Sequence, residues 1–107
     1  METQWIDVIR ADALKPGAHL VIELGGTQVA VFNLAGKFYA IEDACTHDGA
    51  EIASGKLEGE TLVCPRHGAR FCLKTGRALS PPAYEDLHVF PLRVEMGVLQ
   101  IRDDRWD

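Results

Sequence analysis

What most restricts this chain is a stretch from Asp43 to about Pro82 that is rich in Gly, Cys, His and Pro. It carries only short apolar runs, such as Thr61 to Cys64 and Ala69 to Leu73. A segment of this kind is expected to be mostly loop, and burial of its own side chains cannot hold it together, so something else must staple it. The flanking sequence has the texture of β-structure. Trp5 to Ile9, His19 to Leu24, Thr27 to Asn33 and Lys37 to Glu42 are β-branched or apolar runs, and the last three read as an antiparallel meander. Gly25-Gly26 suits a two-residue hairpin turn at positive φ, and Ala35-Gly36 separates the next pair. Beyond the loop stretch, Leu87 to Val94 and Val98 to Arg102 resume strand character, joined through Glu95-Met96-Gly97 as another hairpin. Pro91 lies inside the first of these runs and predicts an edge strand or a bulge. Helix signals are scarce, and there is no internal repeat or low-complexity tract. The order is strands, loop insertion, strands.

At 107 residues and 47% hydrophobic, the chain can build one small core, so a single domain is expected. Sixteen acidic against eleven basic residues give a formal charge of -5, which argues against a nucleic-acid surface. No apolar run approaches a membrane span. The opening Met1-Glu2-Thr3-Gln4-Trp5 has no signal-peptide character, so the cytoplasm is the expected location. A monomer is the plain expectation.

Three cysteines cannot all pair within the chain, and four histidines accompany them, which turns attention from disulfides to metal. The loop stretch holds Cys45-Thr46-His47 and, after sixteen intervening residues, Cys64-Pro65-Arg66-His67-Gly68. Each half offers one thiolate and one imidazole, followed by a glycine (Gly49, Gly68) that lets backbone approach a bound group. Structural zinc commonly takes C-x2-4-C and H-x3-5-H pairs, so a C-x-H pair is unusual there, although two cysteines and two histidines in a zinc-binding interaction module remain the alternative. A two-iron cluster suits the pattern better. If each loop gives its cysteine to one iron and its histidine to the other, the result is the Rieske arrangement.

In these residues the sequence resembles the Rieske ferredoxins, small one-electron carriers of bacterial aromatic-ring oxygenase systems. The likeness extends to Gly68, Phe71, Thr75-Gly76 and the Pro81-Pro82-Ala83 segment, which is similar to the proline loop that covers the cluster in that family. The resemblance implies one [2Fe-2S] cluster per chain, with Cys45 and Cys64 on the inner iron and His47 and His67 on the outer one. It also implies an all-β Rieske fold of antiparallel sheets, a sandwich- or barrel-like base (residues 1–42 and 83–107) carrying a loop-rich cluster-binding subdomain (43–82). Function follows as electron transfer from a flavin-containing ferredoxin reductase to a terminal oxygenase, with no catalysis on this chain. An accessory or redox-sensing role linked to iron-sulfur assembly is the second reading. No G-x-G-x-x-G occurs for flavin or nicotinamide. With His47 and His67 committed, His19 and His88 alone do not supply a mononuclear oxygenase iron site.

Charge explains why histidine matters. Two ferric ions, two sulfides and two thiolates sum to zero, whereas four thiolates leave two negative charges, so an electron is accepted more readily by the mixed set. Rieske potentials accordingly span roughly -150 to +300 mV, against about -400 mV for plant-type ferredoxins. High-potential relatives carry a disulfide between the cluster loops where this chain has Ala50 and Arg66, and place hydroxyls where it has Ala69 and Phe71. Two absent hydrogen bonds at about 1 kcal/mol each, with about 59 mV per 1.4 kcal/mol for one electron, lower the expected potential by roughly 80 mV. The low end of the range is therefore expected. Cys72 is read as a small buried hydrophobe beside Phe71, and His19 and His88 as ordinary positions. Glu42, Asp43, Asp48 and Glu51 make the first loop acidic, while Arg66, Arg70, Lys74 and Arg77 make the second basic. Solvated faces are the ordinary reading of these charges, and a docking surface for a redox partner the functional one. Trp106 is expected to pack back on the sheet or fray.

Overall fold

The structure is a computed structural model that describes residues 4–43, 53–65, 68–80 and 85–106. Ten strands run through the described residues: β1 Trp5–Arg10, β2 His19–Leu24, β3 Thr27–Leu34, β4 Lys37–Glu42, β5 Lys56–Glu58, β6 Thr61–Val63, β7 Arg70–Cys72, β8 Val89–Phe90, β9 Leu92–Glu95 and β10 Val98–Arg102. Short 3-10 turns occupy Ala11–Ala13 and Asp104–Trp106. The strands form three antiparallel sheets, ordered β1-β10-β9, β2-β3-β4-β8 and β5-β6-β7.

The four-stranded sheet is the middle layer. Val29 and Val31 of β3, with Phe38 and Ala40 of β4, pack with Leu99 and Ile101 of β10. Ala30 and Phe32, with Tyr39 and Ile41, pack instead with Leu62, Phe71 and Leu73 of the small sheet and the segment after it. Successive side chains of a strand point to opposite faces, so β3 is buried on both and reads as a continuous apolar run rather than an alternating one. Its register with β4, Ala30 opposite Ile41 and Val31 opposite Ala40, keeps each face consistent.

The hairpins fall where the glycines place them. Gly25 (φ 56°) and Gly26 (φ 82°) form the β2–β3 turn, and Met96 (φ 52°) and Gly97 (φ 79°) form the β9–β10 turn. Met96 is a poor residue for its position. Left-handed backbone costs a residue with a Cβ about 1–2 kcal/mol, and the side chain, 95% exposed, recovers nothing by burial. Met96→Asn, which tolerates this conformation through local hydrogen bonding, is expected to raise stability by about 0.5–1 kcal/mol in a denaturant titration.

Two expectations are corrected here. The run from Leu87 to Val94 is not one strand. It breaks at Pro91, with β8 on the edge of the middle sheet and β9 on the edge of the outer one, and Arg102 N–H donates to the Pro91 carbonyl across the break (3.1 Å). A proline has no N–H for a ladder, so the chain changes sheets there. The loop stretch also contains more regular structure than its composition suggests. Lys56–Glu58 is a strand, and Ala53, Leu62, Ala69, Phe71 and Leu73 are buried against the middle sheet. Its few apolar residues suffice because the middle sheet supplies the other half of the core.

Candidate metal centre

The second of the two candidate ligand loops joins β6 to β7. Val63 pairs with Arg70, and beyond that pair Cys64 N–H donates to the Ala69 carbonyl (2.7 Å) while Gly68 N–H donates to the Cys64 carbonyl (3.1 Å). Gly68 has φ 72°, and no described atom lies within 4 Å of where a Cβ would stand. Cys64 therefore sits at the base of a closed loop with a free thiol only 2% exposed.

The other two loops of the segment are closed at their bases by carboxylates. Asp43 follows β4, its N–H donates to the Gln28 carbonyl (2.8 Å), and its Oδ1 accepts from Ala53 N–H (2.8 Å), which ties together the two sides of residues 44–52. On the far side, Asp86 Oδ1 accepts from Ala78 N–H (2.9 Å), spanning the stretch that includes Pro81 and Pro82. The Thr75-Gly76 turn supports this end. Gly76 N–H donates to Cys72 O and its carbonyl accepts from Leu87 N–H, both at 2.7 Å.

Of the four candidate ligands, Cys64 is the one the structure places; Cys45, His47 and His67 lie outside the described residues, as do Ala50, Arg66 and the Pro81-Pro82-Ala83 segment. What is described fits an iron-sulfur group. Such a group needs a thiolate shielded from water beside backbone that can approach closely, and Cys64 with Gly68 provides both. Ala69 and Phe71 are fully buried, so neither position brings a hydroxyl to this side of the hairpin.

Cys72 is corrected: it is half-buried, on the opposite face of β7 from Phe71. The Thr75 hydroxyl, then the Thr75 and Lys74 backbone, lower its thiol pKa below the ordinary value, against the opposing effect of burial. His19 is exposed and stacks against Phe32, with ring centroids 5.4 Å apart. His88 lies on Phe90, and its Nε2 is 2.7 Å from Asp104 Oδ1. Neither belongs to a group of metal-binding side chains among the described residues.

The basic second loop is partly neutralised within the fold. Arg70 pairs with Glu58, and Lys74 with Glu60 at 3.4 Å. The hydrogen bond from Arg70, and then its charge, hold the Glu58 carboxyl below the usual range. A lowered carboxylate pKa adds stability above the unfolded value that is lost as pH falls through the folded one, but this pair is exposed and screened, so the contribution is small. Asp48 and Glu51 of the acidic loop lie outside the described residues.

Sequence reasoning left the C-terminal segment unassigned beyond packing or fraying. The Arg105 guanidinium donates to Asp103 Oδ1 and Oδ2 (2.8 and 2.7 Å), to Thr27 Oγ1 (2.5 Å) and to Leu24 O (3.1 Å), and lies over the Phe90 ring at 5.3 Å. The segment is thereby pinned to the β2–β3 turn, near the Asp43 end of the middle sheet. The Trp106 side chain lies outside the described residues. A charge alternation this close to the terminus gives no local signal of so distant a partner.

Comparison with known proteins agrees with this geometry. The Rieske [2Fe-2S] domain family matches residues 4–91. The ferredoxin component of naphthalene 1,2-dioxygenase/salicylate 5-hydroxylase systems from a Ralstonia species is 34% identical over 95 residues, 89% of this chain and 91% of that one. The 3-phenylpropionate/cinnamic acid dioxygenase ferredoxin subunit of Shigella flexneri is 50% identical over 70 residues, 64% of this chain and 66% of that one. Among solved structures, a chain in the complex of reduced oxygenase and oxidized ferredoxin of carbazole 1,9a-dioxygenase superposes with a TM-score of 0.85 at 34% identity, covering 92% of each chain. No described helix is long and apolar enough to cross a membrane. With three antiparallel sheets, a buried thiol at the base of a hairpin loop and a family match over most of its length, the chain belongs to the Rieske [2Fe-2S] domain family, as one of its small ferredoxins.

Proposed function

We propose that the chain is the electron-carrying ferredoxin of a ring-hydroxylating dioxygenase system, receiving one electron from a flavin reductase and passing it to a terminal oxygenase. The observation that carries this reading is the likeness to a ferredoxin component over 89% of this chain and 91% of the relative. Residues 43–82 form the cluster-binding subdomain and the remainder the base. Cys45 and Cys64 hold one iron, and His47 and His67 the other. When bound, the cluster supplies one reversible electron. The chain's own part is to bind and shield it: Cys64 is withdrawn from water, Asp43 and Asp86 close the loop bases, and Ala69 and Phe71 keep hydroxyls away. The protein acts as a cytoplasmic monomer, and oxygen chemistry belongs to its partner.

The test is spectroscopic. The purified protein should be red-brown, give a rhombic electron-spin signal on reduction, and titrate near about -150 mV. A colourless zinc protein, or a potential well above 0 mV, would overturn the reading. The imidazoles of His47 and His67 each retain a ring N–H that ferric iron acidifies. Reduction is therefore coupled to proton uptake at high pH, and the potential should fall as pH rises into the alkaline range. A potential flat with pH there would contradict the two-histidine ligand set.

A further inference from the structure

An unpaired strand edge invites another strand unless something blunts it, such as a very short strand, a proline, a bulge or a charge. Most edges among the described residues are blunted. β8 has two residues and leads into Pro91, β9 follows that proline and carries Arg93 and Glu95, β5 and β7 have three residues each, and the register of β1 shifts between Asp7 and Ile9. β2 is longer and regular. Its six residues lie on the edge of the middle sheet, paired with β3 along their whole length and with no other described strand. Leu24 and Thr27 flank the two-residue turn, and Ala18 O accepts from Asn33 N–H (3.0 Å), so alternation assigns Leu20, Ile22 and Leu24 to bond with β3. His19, Val21 and Glu23 therefore turn their backbone N–H and C=O groups outward. All three are exposed, Val21 to 41%, and the His19 ring is held against Phe32. Arg105, bonded to Leu24 O, bounds this free edge at its far end.

We propose that the β2 edge is a self-association surface, on which a second copy of this chain lays its own β2 antiparallel, about a two-fold axis at Val21. In that register Val21 faces the partner's Val21, and Leu20 the partner's Ile22. His19, whose imidazole can donate, stands opposite the carboxylate of the partner's Glu23, and the symmetry repeats this pair on the other side of the axis. All three outward residues then meet outward residues, so the ladder continues across the axis. A shift of two residues either way sets His19 against Val21 or Gly25 and loses the match. Opposite charges across a strand pair attract and like charges repel, so the sequence of β2 selects its own copy in this one register. Six residues a side make a smaller contact than a lasting interface needs. The dimer is therefore reversible and belongs to concentrated protein, the monomer being the dilute form. None of the candidate cluster ligands takes part.

The experiment is sedimentation of the full chain from micromolar to millimolar concentration, with amide hydrogen exchange over residues 19–23 followed alongside. The wild type should rise from the mass of one chain toward that of two, and exchange at His19, Val21 and Glu23 should slow as it does. Val21→Lys and Val21→Glu each set like charges across the axis, at an exposed position that either side chain can occupy. Each alone should weaken association about tenfold or more. Mixed in equal amounts, the two variants place opposite charges across the axis and should recover association to within about threefold of wild type. A wild type that keeps the mass of one chain at every concentration overturns the proposal. So does a dimer that both single variants leave intact, which would put the contact elsewhere, or a mixture that associates no better than its components, which would refute the register. If the wild type stays single while Val21→Lys weakens its binding to a terminal oxygenase, the edge belongs to that partner and the self-association reading is overturned.

Discussion

Cys64→Ser is expected to leave the protein without its visible absorption or its rhombic signal, while Cys72→Ser leaves both intact. The two residues are eight positions apart on the same hairpin and differ in where it aims them. Cys64 stands at the hairpin tip, buried to 2% exposure, with its backbone bonded across to Ala69. A serine oxygen is a poor substitute for thiolate on iron-sulfur iron, and buried there without a partner it costs about 1–3 kcal/mol in its own right. Because ligation and folding are linked, the loss should appear as a lower melting temperature as well as a missing chromophore. Cys72 faces away from that interior, next to Thr75, and tolerates a hydroxyl. If Cys72→Ser bleached the protein and Cys64→Ser did not, the ligand assignment would be wrong.

Gly76→Ala should be among the most damaging single substitutions away from the ligands, by about 3 kcal/mol or more in chemical denaturation. Gly76 has φ 75°, and a Cβ there would stand 2.1 Å from the Leu87 carbonyl oxygen and 2.9 Å from Val89 Cγ2. The first is backbone and cannot swing aside. Relief would require parting the turn after β7 from the strand entering β8, with loss of the Leu87 N–H to Gly76 O bond. Gly59→Ala is the control. Its φ of 62° is also left-handed, but no described atom lies within 4 Å of its Cβ position, so it should cost only the backbone term of about 1–2 kcal/mol. Equal losses at the two glycines would show that the close approach at Leu87 is not what requires glycine.

The candidate donors were legible in the sequence because ligand chemistry is local. Cys64 and His67 are three residues apart, and that spacing on a turn ending in Gly68 is informative without any knowledge of the rest of the fold. The same holds for the hairpins at Gly25-Gly26 and Met96-Gly97, where positive φ is a property of two adjacent residues. The orientation of Cys72 was less accessible. Its alternation with Phe71 follows from strand period, but a three-residue strand within a loop-rich composition gives that period little room to show.

By itself, the sequence determined the strand texture, the turns and the residue types able to hold iron, since each depends on neighbours along the chain. Only the tertiary structure decided which surface covers each face. It made β3 a middle strand buried on both sides and let a few apolar residues of the loop segment share its core. It also carried the chain from one sheet to another at Pro91 and brought Arg105 to Thr27 across 78 positions. Asp43 belongs to the same class. As a letter it is one more acid in a loop-rich stretch, and its burial at the end of β4 comes from Ala53 and Gln28 bonding to it. The physical reason is common to all of these. Periodicity records which side of a strand a residue occupies, whereas burial, and with it the strength of a charge, is set by segments distant in the chain.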